Sequence, residues 1–142
     1  MNRKRKSLNP AQKQMLINRI SSFVEKGFGE IVAVYLFGSF NTEARFSDID
    51  LAVLFGHDLE NPLGFEIDLE RELEKEVRYP VDVRVLNSAP LSFCERVIRG
   101  GRVIVDRNPN LRADFQGKIL KQYFDFSRFR RRYLSEVANA PV

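Results

Sequence analysis

Tryptophan is absent from the 142 residues, and cysteine and histidine occur once each, as Cys94 and His57. A single cysteine excludes an internal disulfide, and one cysteine with one histidine excludes a Cys/His zinc cage within one chain. A Ser-His-Asp hydrolase would have to use His57, and no partner motif accompanies it. Metal chemistry must therefore rest on carboxylates, which favour Mg²⁺, Mn²⁺ or Ca²⁺. No apolar run approaches the roughly 20 residues that span a bilayer. The basic start Met1-Asn2-Arg3-Lys4-Arg5-Lys6 leads into polar residues and not into the apolar segment of a secretory leader. A cytoplasmic protein without a membrane partner is expected.

What is present is ordinary for a folded chain: 44% hydrophobic and 30% charged residues, enough for one domain over residues 1–142 with a core that needs no staples. The net charge is +4 and the pI about 9.4. The excess sits in a basic tail over residues 1–8, at Arg3–Lys6, and in the run Arg128, Arg130, Arg131 and Arg132. Solvated faces are the simplest use of such runs. Phosphate contact with nucleic acid and contact with an acidic protein partner are the alternatives. Direct nucleic-acid binding is not the expected one.

Asn9-Pro10 supplies an N-cap and a first-turn proline, and Leu16, Ile17, Ile20, Phe23 and Val24 follow at helical spacing up to Gly27. Ile31–Phe37 reads as a buried strand that stops at Gly38-Ser39, and Ile49–Phe55 as a second. An amphipathic helix spans Leu63 to Val77 and is broken by Tyr79-Pro80. Val81–Val85 alternates apolar and charged residues, as a strand with one polar face does. A short helix from Pro90 to Gly100, a strand at Val103–Val105 and a last helix over residues 109–138 complete an α-β-α-β-α-β-α-β-α order. The last helix carries Leu111, Phe115, Ile119, Tyr123, Phe126, Phe129, Tyr133 and Val137 every three or four residues, a stripe expected to pack in the core, with a partner-helix groove as the alternative for Tyr123, Phe126 and Phe129. The fold class is α+β (mixed α/β). The connection from Phe37 to Asp48 is too short for a strict parallel crossover, so a small mixed sheet flanked by helices is expected.

Three acids stand out. Asp48 and Asp50 lie two apart at the start of a strand, so both carboxylates share one side. Two such charges repel, and a divalent cation relieves the repulsion. Asp82 lies on another strand between Val81 and Val83, and a third carboxylate there would complete a two-metal site for phosphoryl chemistry. Gly38-Ser39 follows a strand directly. Glycine allows a tight turn and close backbone approach, and the serine hydroxyl with free N–H groups can hold phosphate. Each element alone is common; their order along one chain is not.

Leu36-Phe37-Gly38-Ser39-Phe40 followed by Ser47-Asp48-Ile49-Asp50-Leu51 resembles the signature of the minimal nucleotidyltransferase (MNT) domains of the DNA polymerase β superfamily, over nearly the whole chain from Ile31 to the last helix. Val81-Asp82-Val83 matches the place of that family's third carboxylate, and Leu86 to Val105 is similar to bacterial stand-alone members. The resemblance implies a polymerase β palm-like nucleotidyltransferase fold, with Gly38 and Ser39 as nucleotide-binding residues. It implies Asp48, Asp50 and Asp82 as catalytic ligands of two Mg²⁺ ions, with Mn²⁺ as the alternative metal, and Asp82 also as the group that helps deprotonate the incoming hydroxyl. Many stand-alone members are antitoxins of the MntA type paired with an HEPN-domain ribonuclease. ATP and a cognate HEPN-type toxin are the partners so implied, and transfer of AMP to a toxin tyrosine is the activity. The eight residues between Ser39 and Asp48 are fewer than the family usually has, and the loop lacks its usual glycine.

Two other classes remain beside this one. A binding module of the same fold would neutralise a toxin by occlusion; clustered acids argue against it and the shortened loop argues for it. A small-molecule nucleotidyltransferase, acting for example on an aminoglycoside, would need a second domain to build its acceptor pocket. Arg45, in the loop before the acidic pair, is a weaker candidate for the triphosphate. Arg84 is expected to pair with Asp82, His57 to lie in a loop, and Cys94 to pack as an inert apolar residue.

Overall fold

The computed structural model describes residues 5–139. Its elements are β1 (Lys6–Ser7), α1 (Pro10–Gly27), β2 (Ile31–Phe37), α2 (Ser39–Thr42), β3 (Arg45–Phe46), β4 (Ile49–Phe55), α3 (Pro62–Val77) and β5 (Val81–Val85). A 3₁₀ turn (Leu86–Ser88), α4 (Leu91–Gly100), β6 (Arg102–Asp106) and α5 (Pro109–Asn139) follow. Four strands form a sheet in the order β5-β4-β2-β6, in which β4 and β5 run parallel and the other neighbours antiparallel. This is the mixed sheet expected from the short β2–β4 connection. Among the described residues no helix is long and apolar enough to cross a membrane.

Local chemistry explains the boundaries. Asn9 caps α1 by accepting from the Gln12 N–H at 2.8 Å, while the Gln12 side chain accepts from the Asn9 N–H at 3.0 Å, a reciprocal capping box. At the other end of α1 the Arg107 guanidinium donates to the carbonyls of Val24, at 3.2 Å, and Phe28, at 2.5 Å, so a cation sits on the negative end of the helix. Asn61 caps α3, and Arg78 ends it in the left-handed region at φ 64°.

The sheet is covered on both faces. One core contains Ile49, Leu51 and Val53 of β4 and Val81, Val83 and Val85 of β5, packed with Ile20 and Val24 of α1 and Leu69 and Leu73 of α3. The other joins Ala33, Tyr35, Ala52 and Leu54 to Cys94 and Val97 of α4 and to Ile119 of α5. Cys94 is buried, as expected, and His57 is exposed after β4.

β5 is an edge strand, and α3 closes its edge. The carboxylates of Glu66, Glu70 and Glu74 accept from the N–H groups of Val85, Val83 and Val81 at 2.8, 2.8 and 3.0 Å. Four helical residues advance about 6 Å and two strand residues about 6.6 Å, so a glutamate every fourth residue stays in step with every second amide. The row satisfies donors that would otherwise recruit another strand.

Two expectations change. Lys6–Ser7 of the expected basic tail pairs with β3, Lys6 opposite Phe46 and Ser7 opposite Arg45; residues 1–4 lie outside the described residues. The stripe of α5 divides: Ile119 is buried, but Phe126, Phe129 and Tyr133 are 55%, 69% and 57% exposed. Core packing therefore accounts for only the first half of the helix, because the sheet and α4 end before the helix does.

Candidate active site

The C-terminal end of β2 and the N-terminal ends of β4 and β5 meet at one edge of the sheet. There Phe37 is opposite Asp50, and Asp50 is opposite Asp82, on strands about 4.8 Å apart. Ile49 and Leu51 point into one core, as do Val81 and Val83, so Asp50 and Asp82 project together from the opposite face, the one covered by α4 and α5. Asp48 precedes β4 by one residue and, two before Asp50, belongs to the same side; both are half-buried. Asp82, expected only to lie on a neighbouring strand, is the register partner of Asp50.

Gly38 is built into this arrangement. Its φ is 77°, and a Cβ placed on it would lie 2.1 Å from Asp50 Oδ2. Any side chain there would both strain the backbone and occupy the space of the carboxylate. Ser39 opens α2, which is a single turn of four residues; the short connection to Asp48 leaves room for no more. Phe40 anchors that turn, with its ring edge-on to Phe46 at 4.7 Å.

Lys13 of α1 fastens the same turn from outside. Its ammonium donates to the Phe40 carbonyl at 2.7 Å and to the Glu43 carbonyl, and lies 5.0 Å from the centre of the Phe40 ring. Asn41 donates to the Gly100 carbonyl at 3.3 Å, tying the turn to the end of α4. Arg45 is a strand residue of β3 and not a loop residue; it is exposed, while its neighbour Phe46 is buried.

Asp82 meets charge of both signs. Arg84 Nε stands 3.8 Å from its Oδ1, the expected pair, with both side chains substantially exposed; such a pair holds weakly and yields easily. Glu70 lies on the other side. Burial pushes the Glu70 carboxyl above its ordinary value and the neighbouring Asp82 and Glu66 push the same way, against the Val83 N–H that it accepts. Among the described residues no group of three or more His, Cys, Asp or Glu is gathered into a metal cage. The donor chemistry nevertheless suits Mg²⁺: oxygen ligands only, on neighbouring strands, with a further carboxyl crowded against Asp82. This ion characteristically takes one or two carboxylates and completes its shell with phosphates and water.

Two cavities flank the carboxylates, which line neither. The smaller, about 290 Å³, is bounded by Phe37, Gly38, Thr42, Phe93, Arg96 and Val97. The larger, about 670 Å³, includes Leu63, Glu66, Arg84, Ser88, Phe93 and Arg96. Gly38 touches Asp50 and Arg84 touches Asp82, so each cavity adjoins one carboxylate. Phe93 and Arg96 form the wall between them, with the Arg96 guanidinium 5.9 Å from the Phe93 ring centre.

A family model described as Polymerase beta, Nucleotidyltransferase matches residues 18–110. The chain belongs to this nucleotidyltransferase family. It is similar to the protein adenylyltransferase MntA of Shewanella oneidensis (strain MR-1), 33% identical over 91 residues, which make up 63% of this chain and 64% of that protein. The chain therefore spans just under two thirds of that curated relative. A solved complex of tri-AMPylated Shewanella oneidensis HEPN toxin with MNT antitoxin matches at a TM-score of 0.70 and 25% identity, over 89% of this chain and 98% of the other. A toxin–antitoxin structure with AMP-PNP matches at 0.69 and 27%, over 86% and 98%.

The five residues singled out in the sequence, Gly38, Ser39, Asp48, Asp50 and Asp82, lie at or beside one sheet edge. Lys13, Glu70, Phe93 and Arg96 escaped the sequence reading. Lys13 and Arg96 look like ordinary polar-face residues of amphipathic helices, and no local pattern ties them to Gly38. Glu70 was legible only as one of many acids on α3, although the spacing of Glu66, Glu70 and Glu74 carried a signal.

Proposed function

We propose that the chain is a Mg²⁺-dependent protein adenylyltransferase that moves AMP from ATP to a tyrosine hydroxyl of a cognate HEPN-type ribonuclease toxin, and so acts as its antitoxin. The observation that carries the transfer chemistry is the register of Asp50 and Asp82 across the parallel β4–β5 pair, with Asp50 packed against the side-chain-free Gly38. The choice of AMP and of a toxin is supported by the relatives: one is named a protein adenylyltransferase, and one solved complex holds a tri-AMPylated HEPN toxin.

In this reading the ATP phosphates lie against Gly38, where the backbone can approach closely, and the Ser39 hydroxyl donates to a phosphate oxygen. Asp48, Asp50 and Asp82 would hold two Mg²⁺ ions, or Mn²⁺ in their place, and bound there with the triphosphate the ions would neutralise charge on the phosphates. The smaller cavity, beside Gly38, takes the nucleotide, with Arg96 and the Phe93 ring at its wall. The larger cavity, beside Asp82 and Arg84, takes the acceptor. Asp82 accepts the phenol proton, a reasonable task because a tyrosine hydroxyl has a pKa near 10, far below that of an aliphatic alcohol. The phenol oxygen bonds to the α-phosphorus, the α–β anhydride bond breaks, and pyrophosphate departs with the electron pair. An AMP group on a ribonuclease blocks RNA by its size and by repelling phosphates.

The test is to incubate the protein with Mg²⁺, ATP and its cognate HEPN-type toxin, then weigh the toxin by mass spectrometry. The expected result is one or more added AMP units, none after chelation of the metal, and a rate at least about 100-fold lower with Asp50→Asn, the usual cost of removing a group that stabilises transition-state charge. The variant should melt like the wild type, since Asp50 is no part of the apolar core. Full inhibition of the toxin with no added mass would make occlusion the better account.

A further inference from the structure

The nucleotidyltransferase match ends at residue 110, one residue after the start of α5. α5 is the longest element, at 31 residues. Its apolar stripe is continuous: Leu111, Phe115, Ile119, Tyr123, Phe126, Phe129, Tyr133 and Val137 all fall within one third of the helix circumference at 100° per residue. Leu111, Phe115 and Ile119 use that stripe to close the second core. Beyond them the same stripe continues over roughly 27 Å of helix, residues 122–139, where Phe126, Phe129, Tyr133 and Val137 are between 55% and 69% exposed. One stripe therefore does one job along its first half and has the side chains for the same job along its second.

The charge on this half selects the occupant. Arg128, Arg130, Arg131 and Arg132 surround Phe129, while residues 123–139 contain only two acids, Asp125 and Glu136. A second copy paired across Phe129 would bring four guanidinium groups against four, which like-charge repulsion opposes. Aromatic anchors ringed by arginine are the composition of a binding hot spot, and the complementary surface is an apolar groove with an acidic rim.

We propose that the overhanging half of α5 is a docking arm that seats in an acid-rimmed apolar groove of the protein carrying the acceptor tyrosine. The identity of that protein, the HEPN-type toxin, rests on the function proposed above; the arm's role does not depend on the transfer step. By holding the toxin outside the cavity that takes the tyrosine, the arm gives the chain a way to select a whole protein.

The experiment compares the full-length protein with Phe129→Ala/Tyr133→Ala and with Arg130→Glu/Arg131→Glu, all exposed, so that melting is unaffected. Affinity for the purified toxin is measured by calorimetry, binding of AMP-PNP separately, and toxin modification as KM and kcat. The expected result is a loss of toxin affinity of at least about 30-fold in each variant, a matching rise in KM with kcat nearly unchanged at saturating toxin, and unaltered AMP-PNP binding. Toxin affinities within twofold of wild type would overturn the proposal, as would a wild type that does not bind the toxin, or a concentration-dependent dimer in sedimentation that both variants abolish. Binding that is intact in the wild type and lost in the variants, with no AMP transferred by either, supports the arm and counts against the transfer reaction alone.

Discussion

Gly38 shows how a single absent side chain can organise a site. Its φ of 77° is a region that L residues rarely adopt, and the volume its missing Cβ would fill belongs to Asp50 Oδ2 at 2.1 Å. The two facts are independent, and both act on the same atom pair. Gly38→Ala is expected to cost about 1–3 kcal/mol of stability from backbone strain and also to push the Asp50 carboxylate from its place. AMP transfer should therefore fall much further than the loss of folded protein explains. Urea unfolding and transfer rates measured on the same preparation check this; a variant that is destabilised but transfers at the wild-type rate per folded molecule would detach Gly38 from the chemistry. The glycine was legible in the sequence as a turn after a strand. Its contact with Asp50 was not, because eleven residues, including the α2 turn and β3, separate the two positions.

Among the elements, those with strong local punctuation are readable from the residues alone. Asn9-Pro10 and Gly27 bracket α1, and Tyr79-Pro80 ends α3 where the chain turns into β5; propensity and capping are properties of neighbouring residues, and no tertiary contact overrides them here. The contacts made between elements are not readable in that way. Lys13 reaches Phe40 across 27 positions, and the glutamates of α3 find the amides of β5 only because helix and strand lie side by side. That edge seal yields a prediction. Glu74 is exposed, and it accepts the Val81 N–H at 3.0 Å. Glu74→Ala removes the acceptor and is expected to cost about 1 kcal/mol, the net worth of a typical hydrogen bond. Glu74→Gln keeps an acceptor oxygen and should cost much less. Urea midpoints of the two variants decide; equal losses would mean that the charge, and not the amide contact, supplies the stabilisation.

For the whole molecule, the division of α5 separates stability from recognition along one helix. Periodicity reports that Leu111 through Val137 share a face, but not what covers it, and the expectation of a core stripe fails where the sheet and α4 end. The family match ends in the first turn of α5, yet the helix helps close the second core: Ile119 joins the cluster of Tyr35, Ala52, Leu54, Cys94 and Val97, and Gln116 donates to the Tyr35 hydroxyl at 2.6 Å. Identical chemistry at two points of the stripe should therefore give opposite results. Ile119→Ala opens a cavity under a residue only 8% exposed and is expected to cost about 2–5 kcal/mol. Phe129→Ala deletes a larger side chain that is 69% exposed and should change stability by no more than about 0.5 kcal/mol. Chemical denaturation of both variants, with no partner present, measures the contrast. If Phe129→Ala proved as destabilising as Ile119→Ala, the outer half of α5 would fold back on its own domain in solution, and the apolar surface it offers to a partner would already be spent.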